Sequence, residues 1–459
     1  MKNKILVLAF SILLTLGYFG CDDYNKLTAP GISLGSADFS RFVSIGNSLT
    51  MAEQSSSVFE SSQMFSFGKL IANQVETVYE QAIFSDPGTG GRLEVEKMDP
   101  FTIFENEAQG SPTNITYPAP YNNLGIKGAF LTDVINARDQ NSCYTAVFGT
   151  PNPLFDAVLR GLGTQLELAV AQQPTFATLW IGNNDILAFA TRGGLFPVTP
   201  VQQFSDNYNL ILNTLAATGA DIVLGNIPDV KAATFFRTVG PGIGLNLQQN
   251  QLPGIVYSKI GGDVGIASVD DLFAFNVLVL LSGSSAAELI GDQSGAYYSQ
   301  NGLPIPPGVD TNFPFGLAPE NPWPNGLILD PDEISAIDMT VSAFNDVIET
   351  AASAKGFVVF DAFTLIQSLA ATGLTYNGIT YTAEFVQGGF YSLDGIHPTS
   401  QGYAVVANEF IKVINQKYGA AIPLIDVSTI PGSISFKNVS MGKYGIPKIP
   451  HGALDNILF

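Results

Sequence analysis

Few residues in this chain could act as the base that a nucleophilic serine needs. Ser48 follows a short apolar run and a Gly-Asn pair, but a serine hydroxyl is a poor nucleophile without a base. The 459 residues include only two histidines, His397 and His451. Asp394 precedes His397 by three residues, so its carboxylate can reach one ring nitrogen and fix the tautomer. Ser48, His397 and Asp394 are therefore candidates for a nucleophile, a base and an orienting acid, with a helix cap at Ser48 and an exposed loop histidine at His397 as the alternatives. We interpret His451 as a surface residue.

Two further segments offer hydrogen-bond donors for a charged intermediate. Asn184 lies in residues 182–185, Gly-Asn-Asn-Asp, directly after an apolar run that is typical of a strand. A side-chain amide at that end of a strand can hold an oxyanion, although the same residue type also caps helices. Gly128 lies in residues 123–129, where a glycine lets a backbone N–H approach a substrate closely.

Apolar runs alternate with amphipathic stretches along the chain. The runs are nearly continuous, which is typical of strands covered on both faces, and they are residues 42–45, 176–181, 222–227 and 357–360. Apolar residues at helical spacing predict helices over residues 155–173, 334–348 and 403–414. Asp330-Pro331 is typical of a helix start and Gly419 of a helix end. This alternation predicts an α/β fold with a parallel sheet and helices on both faces.

Four segments, in this order along the chain, resemble the signature of the SGNH hydrolases, also known as GDSL lipases or esterases. They are residues 46–49 (Gly-Asn-Ser-Leu), 125–128 (Gly-Ile-Lys-Gly), 182–185 (Gly-Asn-Asn-Asp) and 394–398 (Asp-Gly-Ile-His-Pro). Residues 226–228, Asn-Ile-Pro after the third strand, are also similar to the family. The resemblance spans roughly residues 39–419.

The resemblance implies a three-layer α/β/α sandwich with large loop insertions. Its five-stranded parallel sheet would have the flavodoxin-like strand order 2-1-3-4-5. The second strand would lie just before Gly125, where Pro118 and Pro120 weaken the strand pattern. An edge strand tolerates proline, so we expect this strand at an edge.

The resemblance also implies the roles of the site residues. Ser48 would attack an ester carbonyl, and His397, oriented by Asp394, would carry the proton. The oxyanion hole would consist of the backbone N–H groups of Ser48 and Gly128 and the side chain of Asn184. No metal and no cofactor is expected.

Two positions depart from the family pattern, and one rival serine is set aside. Asn47 stands where the family usually has Asp, and Lys127 stands where Ser is common. We expect Lys127 to point to water, with assistance to an anionic intermediate as the alternative. Ser33, in residues 31–35, matches a Gly-x-Ser-x-Gly elbow but lacks the strand and helix that this elbow needs.

The first residues resemble a bacterial lipoprotein signal. Residues 1–20 have a basic start, an apolar run and Gly20 directly before Cys21. Cys21 would become lipid-modified, with palmitate or a similar acyl chain, and anchor an exported protein in the cell envelope at the outer membrane. Residues 21–38 would be a tether. An ordinary secretory signal is the alternative, and Cys143 is expected to be a plain buried thiol.

The net charge of the chain argues against one class of binding partner. The formal net charge of -20, from 40 acidic and 20 basic residues, argues against nucleic acid as a partner.

We assign residues 39–419 to one hydrolase domain with an insertion at residues 231–329, and residues 420–459 to a C-terminal extension. The apolar residues 272–281 are expected to form a buried packing helix, with an acyl-chain site or a lid as the alternative.

These observations predict a serine ester hydrolase, a lipase or esterase that cleaves carboxylic acyl esters. One alternative is a carbohydrate or cell-wall O-deacetylase of the same fold. Another is a non-catalytic surface lipoprotein that binds lipid or glycan. The expected substrate is an acyl lipid or an acetylated glycan, and the oligomeric state is open.

Overall fold

The computed structural model describes residues 31–432, 439–455 and 457–458. The described residues from Leu34 onward form one compact unit. The expected signal peptide, Cys21 and the tether up to residue 30 lie outside the described residues. Within the described part of the chain, no helix combines the length and the apolar character needed to cross a membrane.

The strands and helices alternate along most of the chain. In chain order the strands are β1 Phe42–Gly46, β2 Arg92–Met98, β3 Phe101–Asn106, β4 Phe176–Trp180, β5 Asp221–Gly225, β6 Gly254–Ser258, β7 Val264–Ser268, β8 Leu278–Val279, β9 Ile328–Leu329, β10 Val358–Phe360, β11 Leu374–Tyr376 and β12 Ile379–Tyr381. The helices are α1 Ser48–Met51, α2 Glu60–Gln63, α3 Phe67–Gln74, α4 Asp133–Asn136, α5 Leu154–Leu159, α6 Gln165–Ala171, α7 Asn184–Ala190, α8 Val201–Ala216, α9 Thr234–Arg237, α10 Val239–Gln249, α11 Val269–Phe273, α12 Ser284–Ala287, α13 Ala296–Gln300, α14 Pro331–Lys355, α15 Ala362–Ala371 and α16 Ser400–Tyr418.

A parallel sheet of four strands, in the order β1-β4-β5-β10, lies at the centre of the fold. Helices cover it on both sides, as the apolar runs predicted. On one side, Phe67 of α3 stacks on Phe410 of α16 with ring centroids 4.8 Å apart. On the other side, Phe204 of α8 stacks on Phe344 of α14 at 3.8 Å. The fold is therefore α/β, and its sheet is buried between apolar helix faces.

The segment before Gly125 runs beside β1 without forming a regular strand. Ser44 and Asn123 make an isolated parallel bridge, supported by hydrogen bonds from Ser44 N to Asn122 O and from Leu124 N to Ser44 O. The N–H groups of Asn122 and Asn123 instead donate to the carbonyl of Glu80. A fifth strand in the central sheet therefore stays a prediction.

Two predicted helices differ from the structure. Residues 155–173 form two helices, α5 and α6, because Arg160 and Gly161 adopt left-handed backbone conformations and end the first. Residues 272–281 do not form the expected buried packing helix: only their start is α-helical, and Phe273, Ala274 and Asn276 are exposed, whereas residues 277–281 are buried. Phe275 has a φ of 58°, which ends the helical path after α11, and the chain continues into the short strand β8.

The predicted helix ends elsewhere are confirmed. Asp330 caps α14 by accepting from the N–H groups of Asp332 and Glu333, and Pro331 occupies the first turn. Gly419 ends α16 in a left-handed conformation. Both ends follow from local residue chemistry, because a carboxylate satisfies free N–H groups and glycine tolerates a positive φ.

The described residues of the C-terminal extension, 420–459, belong to the same compact unit. The N–H of Phe101 in β3 donates to Ser440 O at 2.8 Å, and Ser284 Oγ donates to Pro447 O at 2.6 Å. Pairs of antiparallel strands lie outside the central sheet, namely β2-β3, β6-β7, β8-β9 and β11-β12.

Candidate active site

Ser48 is positioned by a tight turn at the carboxyl end of β1. A Cβ atom at Gly46 would lie 2.0 Å from Thr50 Oγ1 and 2.5 Å from Trp180 O, so only glycine fits there. Asn47 caps α1 by accepting from Leu49 N through its side-chain oxygen at 3.2 Å. Ser48 is therefore the first residue of α1. It lies at the carboxyl ends of the parallel strands, where α/β folds bind their ligands.

Ser48, His397 and Asp394 form a hydrogen-bonded chain. His397 Nε2 lies 2.9 Å from Ser48 Oγ, and His397 Nδ1 lies 3.1 Å from Asp394 Oδ2. All three are nearly inaccessible, with exposures of 3% for Ser48, 1% for His397 and 0% for Asp394. The distances allow the serine proton to move to the imidazole while the carboxylate fixes the opposite ring nitrogen.

The Asp394 carboxylate is held by backbone donors. Its Oδ1 accepts from Ile396 N and His397 N, and its Oδ2 accepts from Ser56 N at 2.8 Å. Burial alone would raise the pKa of Asp394, but the charge of His397 and the hydrogen bonds from His397 and Ile396 outweigh it and lower the pKa. Asp394 therefore stays ionised and oriented toward the ring.

The pKa of His397 is raised by its anionic neighbours. Burial alone would lower it, but the carboxylates of Glu53 and Asp394 favour the protonated ring and outweigh burial. A raised pKa strengthens the imidazole as a base for the serine proton.

A second ion pair, which the sequence did not reveal, lies against the histidine. Glu53 Oε2 is 3.4 Å from His397 Nε2, and Glu53 Oε1 is 2.7 Å from Lys127 Nζ. Lys127 Nζ also donates to Ser56 O at 2.7 Å. The expectation that Lys127 points to water is therefore wrong, because the buried Glu53 carboxylate and the Ser56 carbonyl draw its ammonium inward. Burial raises the pKa of Glu53, against the opposing charges of His397 and Lys127.

The predicted oxyanion donors lie on adjoining segments. Gly128 has a φ of 77°, which favours glycine, and its N–H donates to no other residue that the structure describes. Asn184 Nδ2 donates to the carbonyl of Ala129 at 2.9 Å and keeps a second hydrogen for another acceptor. The N–H of Ser48, at the first position of α1, has no acceptor within its helix. These three groups can serve as donors to a developing negative charge.

Two buried carboxyl groups hold the turn that follows Gly128. Asp133 Oδ2 accepts from Phe130 N at 2.8 Å, and Asp185 Oδ2 accepts from Leu131 N at 2.9 Å. Burial raises the pKa of Asp133 to about 7 and that of Asp185 to about 6. The turn that carries Gly128 is thus tied to the start of α7, which carries Asn184.

An apolar pocket opens beside Ser48 and His397. It has about 680 Å³ of empty space, counting the part open to solvent, and it extends between the ends of β5 and β10 and helix α15. Its apolar walls include Leu49, Leu187, Val230, Leu365, Ile366 and Phe390. Among polar groups at its lining, the buried side-chain amides of Asn47 and Asn183 keep nitrogen atoms without a partner among the described residues.

Glu53, Asp394 and His397 lie close enough to share a cation, with one ligand atom of each within 4.8 Å of the others. Their atoms already have partners, however. The Lys127 ammonium contacts Glu53, N–H groups occupy Asp394, and Ser48 contacts the imidazole. We therefore describe the cluster as an ionic network and not as a metal site.

The remaining candidates fall outside this site. Cys21 lies outside the described residues, and Cys143 is a free buried thiol, as expected. His451 is half-buried, with its ring centroid 6.1 Å from that of Tyr297, and its interpretation as a surface residue stays a prediction. No protein-family model matches the chain, and a search of curated proteins finds no match.

Proposed function

We propose that this protein is a serine ester hydrolase of the SGNH type, acting on carboxylic acyl esters. The observation that carries the proposal is the 2.9 Å contact between His397 Nε2 and Ser48 Oγ, backed by Asp394 on the other ring nitrogen. A serine in this arrangement is an activated nucleophile, because the imidazole can accept its proton as attack begins.

The reaction would proceed in two halves. Ser48 Oγ attacks the ester carbonyl and its proton moves to His397 Nε2. The tetrahedral intermediate then collapses, the imidazolium protonates the leaving alkoxide, and an acyl-Ser48 ester remains. Water, deprotonated by the same histidine, attacks this ester and releases the acid and the free serine. Asp394 stabilises each imidazolium without taking the proton.

The donors near Ser48 support an acyl-transfer reaction. The negative charge on the carbonyl oxygen would be held by the N–H groups of Ser48 and Gly128 and by Asn184 Nδ2. Donors fixed before the reaction are effective because they need no reorganisation as charge develops.

The pocket favours an acyl chain over an acetylated sugar. Its walls are aliphatic and aromatic, which suits an alkyl chain. Sugar sites usually offer exposed aromatic faces, but Trp180 and Trp323 are both buried. We therefore place acyl esters ahead of the O-deacetylase alternative, and the Ser48–His397 contact counts against a purely binding role.

Two finer expectations remain part of this proposal. The extended segment bridged to β1 at Asn123 supports a sheet order 2-1-3-4-5 with that segment as the second strand. Lipidation of Cys21 and attachment to the outer membrane of a bacterial envelope follow from the signal-like residues 1–20.

Hydrolysis of p-nitrophenyl esters with chains from two to twelve carbons tests the proposal. The native full-length chain in mild detergent is compared with Ser48→Ala, which removes only the nucleophilic oxygen. We expect hydrolysis by the native chain and the loss of nearly all of it in the variant. Equal rates for both chains, or no hydrolysis of any ester, would show that the proposal is wrong.

A further inference from the structure

The Glu53–Lys127 pair has no part in the mechanism described so far, although it touches the reacting histidine. Glu53 Oε2 lies 3.4 Å from His397 Nε2, the nitrogen that exchanges the proton. Both members of the pair are buried, with side-chain exposures of 0% for Glu53 and 8% for Lys127. Removing two charges from water costs free energy, so the position of this buried ion pair beside the base calls for a physical explanation.

The balance of charge in the cluster depends on the histidine. The carboxylates of Asp394 and Glu53 and the ammonium of Lys127 carry one net negative charge when all are ionised. With these three groups ionised, protonation of His397 makes the cluster neutral. In a buried site this favours the imidazolium, which forms when Ser48 gives up its proton.

The loop that carries Glu53 is built to hold it in place. Ala52, Ser55 and Ser56 all have a positive φ, between 54° and 66°, a conformation that residues other than glycine rarely adopt. Such strain persists only where surrounding contacts fix the backbone. Here Tyr403 Oη donates to Glu53 O at 2.7 Å, and Ser55 N donates to Ser392 Oγ at 2.8 Å.

One residue of this loop connects the two carboxylates. Ser56 N donates to Asp394 Oδ2 at 2.8 Å, and Ser56 O accepts from Lys127 Nζ at 2.7 Å. The cation that neutralises Glu53 and the acid that orients His397 are therefore fixed to one peptide segment. This fixes Glu53 relative to the imidazole.

We propose that Glu53, held by Lys127, is a positioning residue that stabilises the imidazolium form of His397 during ester hydrolysis. This role rests on the proposed function. When Ser48 Oγ bonds to the carbonyl carbon, its proton moves to His397 Nε2 and the new N–H lies beside Glu53 Oε2. On collapse of the intermediate the same proton passes to the leaving alkoxide, so Glu53 gains and loses no proton in the cycle.

The groups that face Glu53 and His397 set the direction of the effect. They are the carboxylate of Asp394, the ammonium of Lys127 and the hydroxyl groups of Tyr403 and Ser48. Glu53 favours the protonated ring and Lys127 disfavours it, with Glu53 the stronger of the two. Removing both should make His397 easier to deprotonate, whereas removing Lys127 alone should make it harder.

The test compares Glu53→Gln/Lys127→Met with the native full-length chain, because removing both charges leaves no unpaired buried ion. The chain has only two histidines, so NMR of ¹³C-labelled histidine follows His397 directly while His451 serves as the internal control. We expect the titration of His397 and the acid limb of kcat/KM to move to lower pH. We also expect kcat on a p-nitrophenyl ester to fall about 10- to 100-fold, with KM within about twofold.

Two further variants separate this role from a structural one. Glu409→Gln/Lys412→Met removes another Glu–Lys pair, on α16, whose nitrogen and oxygen also lie 2.7 Å apart but which is partly exposed. It should behave like the native chain. Lys127→Met alone should move the titration of His397 to higher pH, opposite to the double variant.

Failure of the role proposed for Glu53 and failure of the proposed ester hydrolysis give different results. If the native chain hydrolyses no ester, the proposed function is wrong. If the double variant keeps the native titration of His397, Glu53 has no such role, whether or not the chain is active. A loss of thermal stability with unchanged titration and kcat would identify the pair as merely structural and would overturn the proposal.

Discussion

Asn184 Nδ2 donates a 2.9 Å hydrogen bond to the carbonyl of Ala129, the residue that follows Gly128. This bond aligns the side-chain amide with the turn that carries the N–H of Gly128, another of the three predicted donors. It uses one amide hydrogen and leaves the second for a substrate oxygen.

Asn184→Ala should lower kcat about 10²- to 10³-fold with a small change in KM, because a donor to the transition state is lost. Steady-state kinetics on one p-nitrophenyl ester measures both constants. Asn184→Asp keeps the size of the side chain but cannot donate when ionised, so it should be similarly slow. Full activity in either variant would exclude Asn184 from the oxyanion hole.

The apolar pocket should make the native chain prefer longer acyl groups. Each buried CH₂ is worth about 0.8 kcal/mol, or about fourfold in kcat/KM. Ile366→Trp fills the pocket and should lower the ratio of octanoate to acetate turnover about tenfold or more, with acetate little changed. Met339→Trp, at a position 65% exposed on α14, is the matched control. An unchanged ratio in Ile366→Trp would place the acyl chain elsewhere.

The free energy of unfolding should fall as the pH rises, because Asp133 ionises in the unfolded chain at a lower pH than in the folded protein. Burial raises the pKa of Asp133 from 3.8 to about 7 in the folded protein. Below about pH 4 the carboxyl group is protonated in both the folded and the unfolded chain, so its ionisation does not change the free energy of unfolding. Between these values the unfolded chain releases a proton that the folded chain keeps, so the free energy of unfolding decreases, and it levels off above the folded pKa.

Urea unfolding between pH 4 and pH 8 measures this slope. Asp133→Asn removes the ionising group and should flatten the dependence, by an amount on the order of 4 kcal/mol over the range. Asp206→Asn, at an exposed position on α8, should keep the native slope. Asp133→Asn also removes a carboxyl group that accepts from two N–H groups, which lowers the free energy of unfolding at every pH. The comparison therefore uses the pH dependence of this free energy and not its absolute value.

The main elements could be predicted from sequence because local chemistry specifies them. Buried strands need apolar runs, and Asp330 and Gly419 mark helix ends through capping and positive φ. The break between α5 and α6 was missed, because Arg160 takes a left-handed conformation that its residue type does not indicate. Residues 272–281 were misassigned because a short apolar run does not distinguish a helix from a strand.

The candidate site was only partly predictable for a similar reason. Ser48, Asp394 and His397 stand in motifs whose spacing alone suggests chemistry. Lys127 stands in the segment 125–128, but Glu53, 74 positions earlier, belongs to no motif, so only the folded chain shows that the two pair. An ion pair of this kind is set by tertiary packing, which residue spacing does not encode.

Lipidation gives a prediction for residues outside the described part of the chain. Cys21→Ser, expressed in a bacterium with a lipoprotein pathway, should lose radiolabelled palmitate and leave the membrane fraction. Stable anchoring needs acyl chains that reach the bilayer core. Cys143→Ser is the matched control, because that buried thiol should not be lipidated. Continued labelling of the Cys21→Ser chain would rule out this anchor.

The most direct test of Ser48 as the nucleophile is covalent labelling with a fluorophosphonate, located by peptide mass spectrometry. This reagent phosphonylates a serine that a neighbouring base has activated. We expect one adduct, on the peptide that contains Ser48, absent from Ser48→Ala and much slower to form in His397→Ala. An unlabelled native chain, or an adduct on another residue, would contradict the assignment of Ser48 and His397 as nucleophile and base.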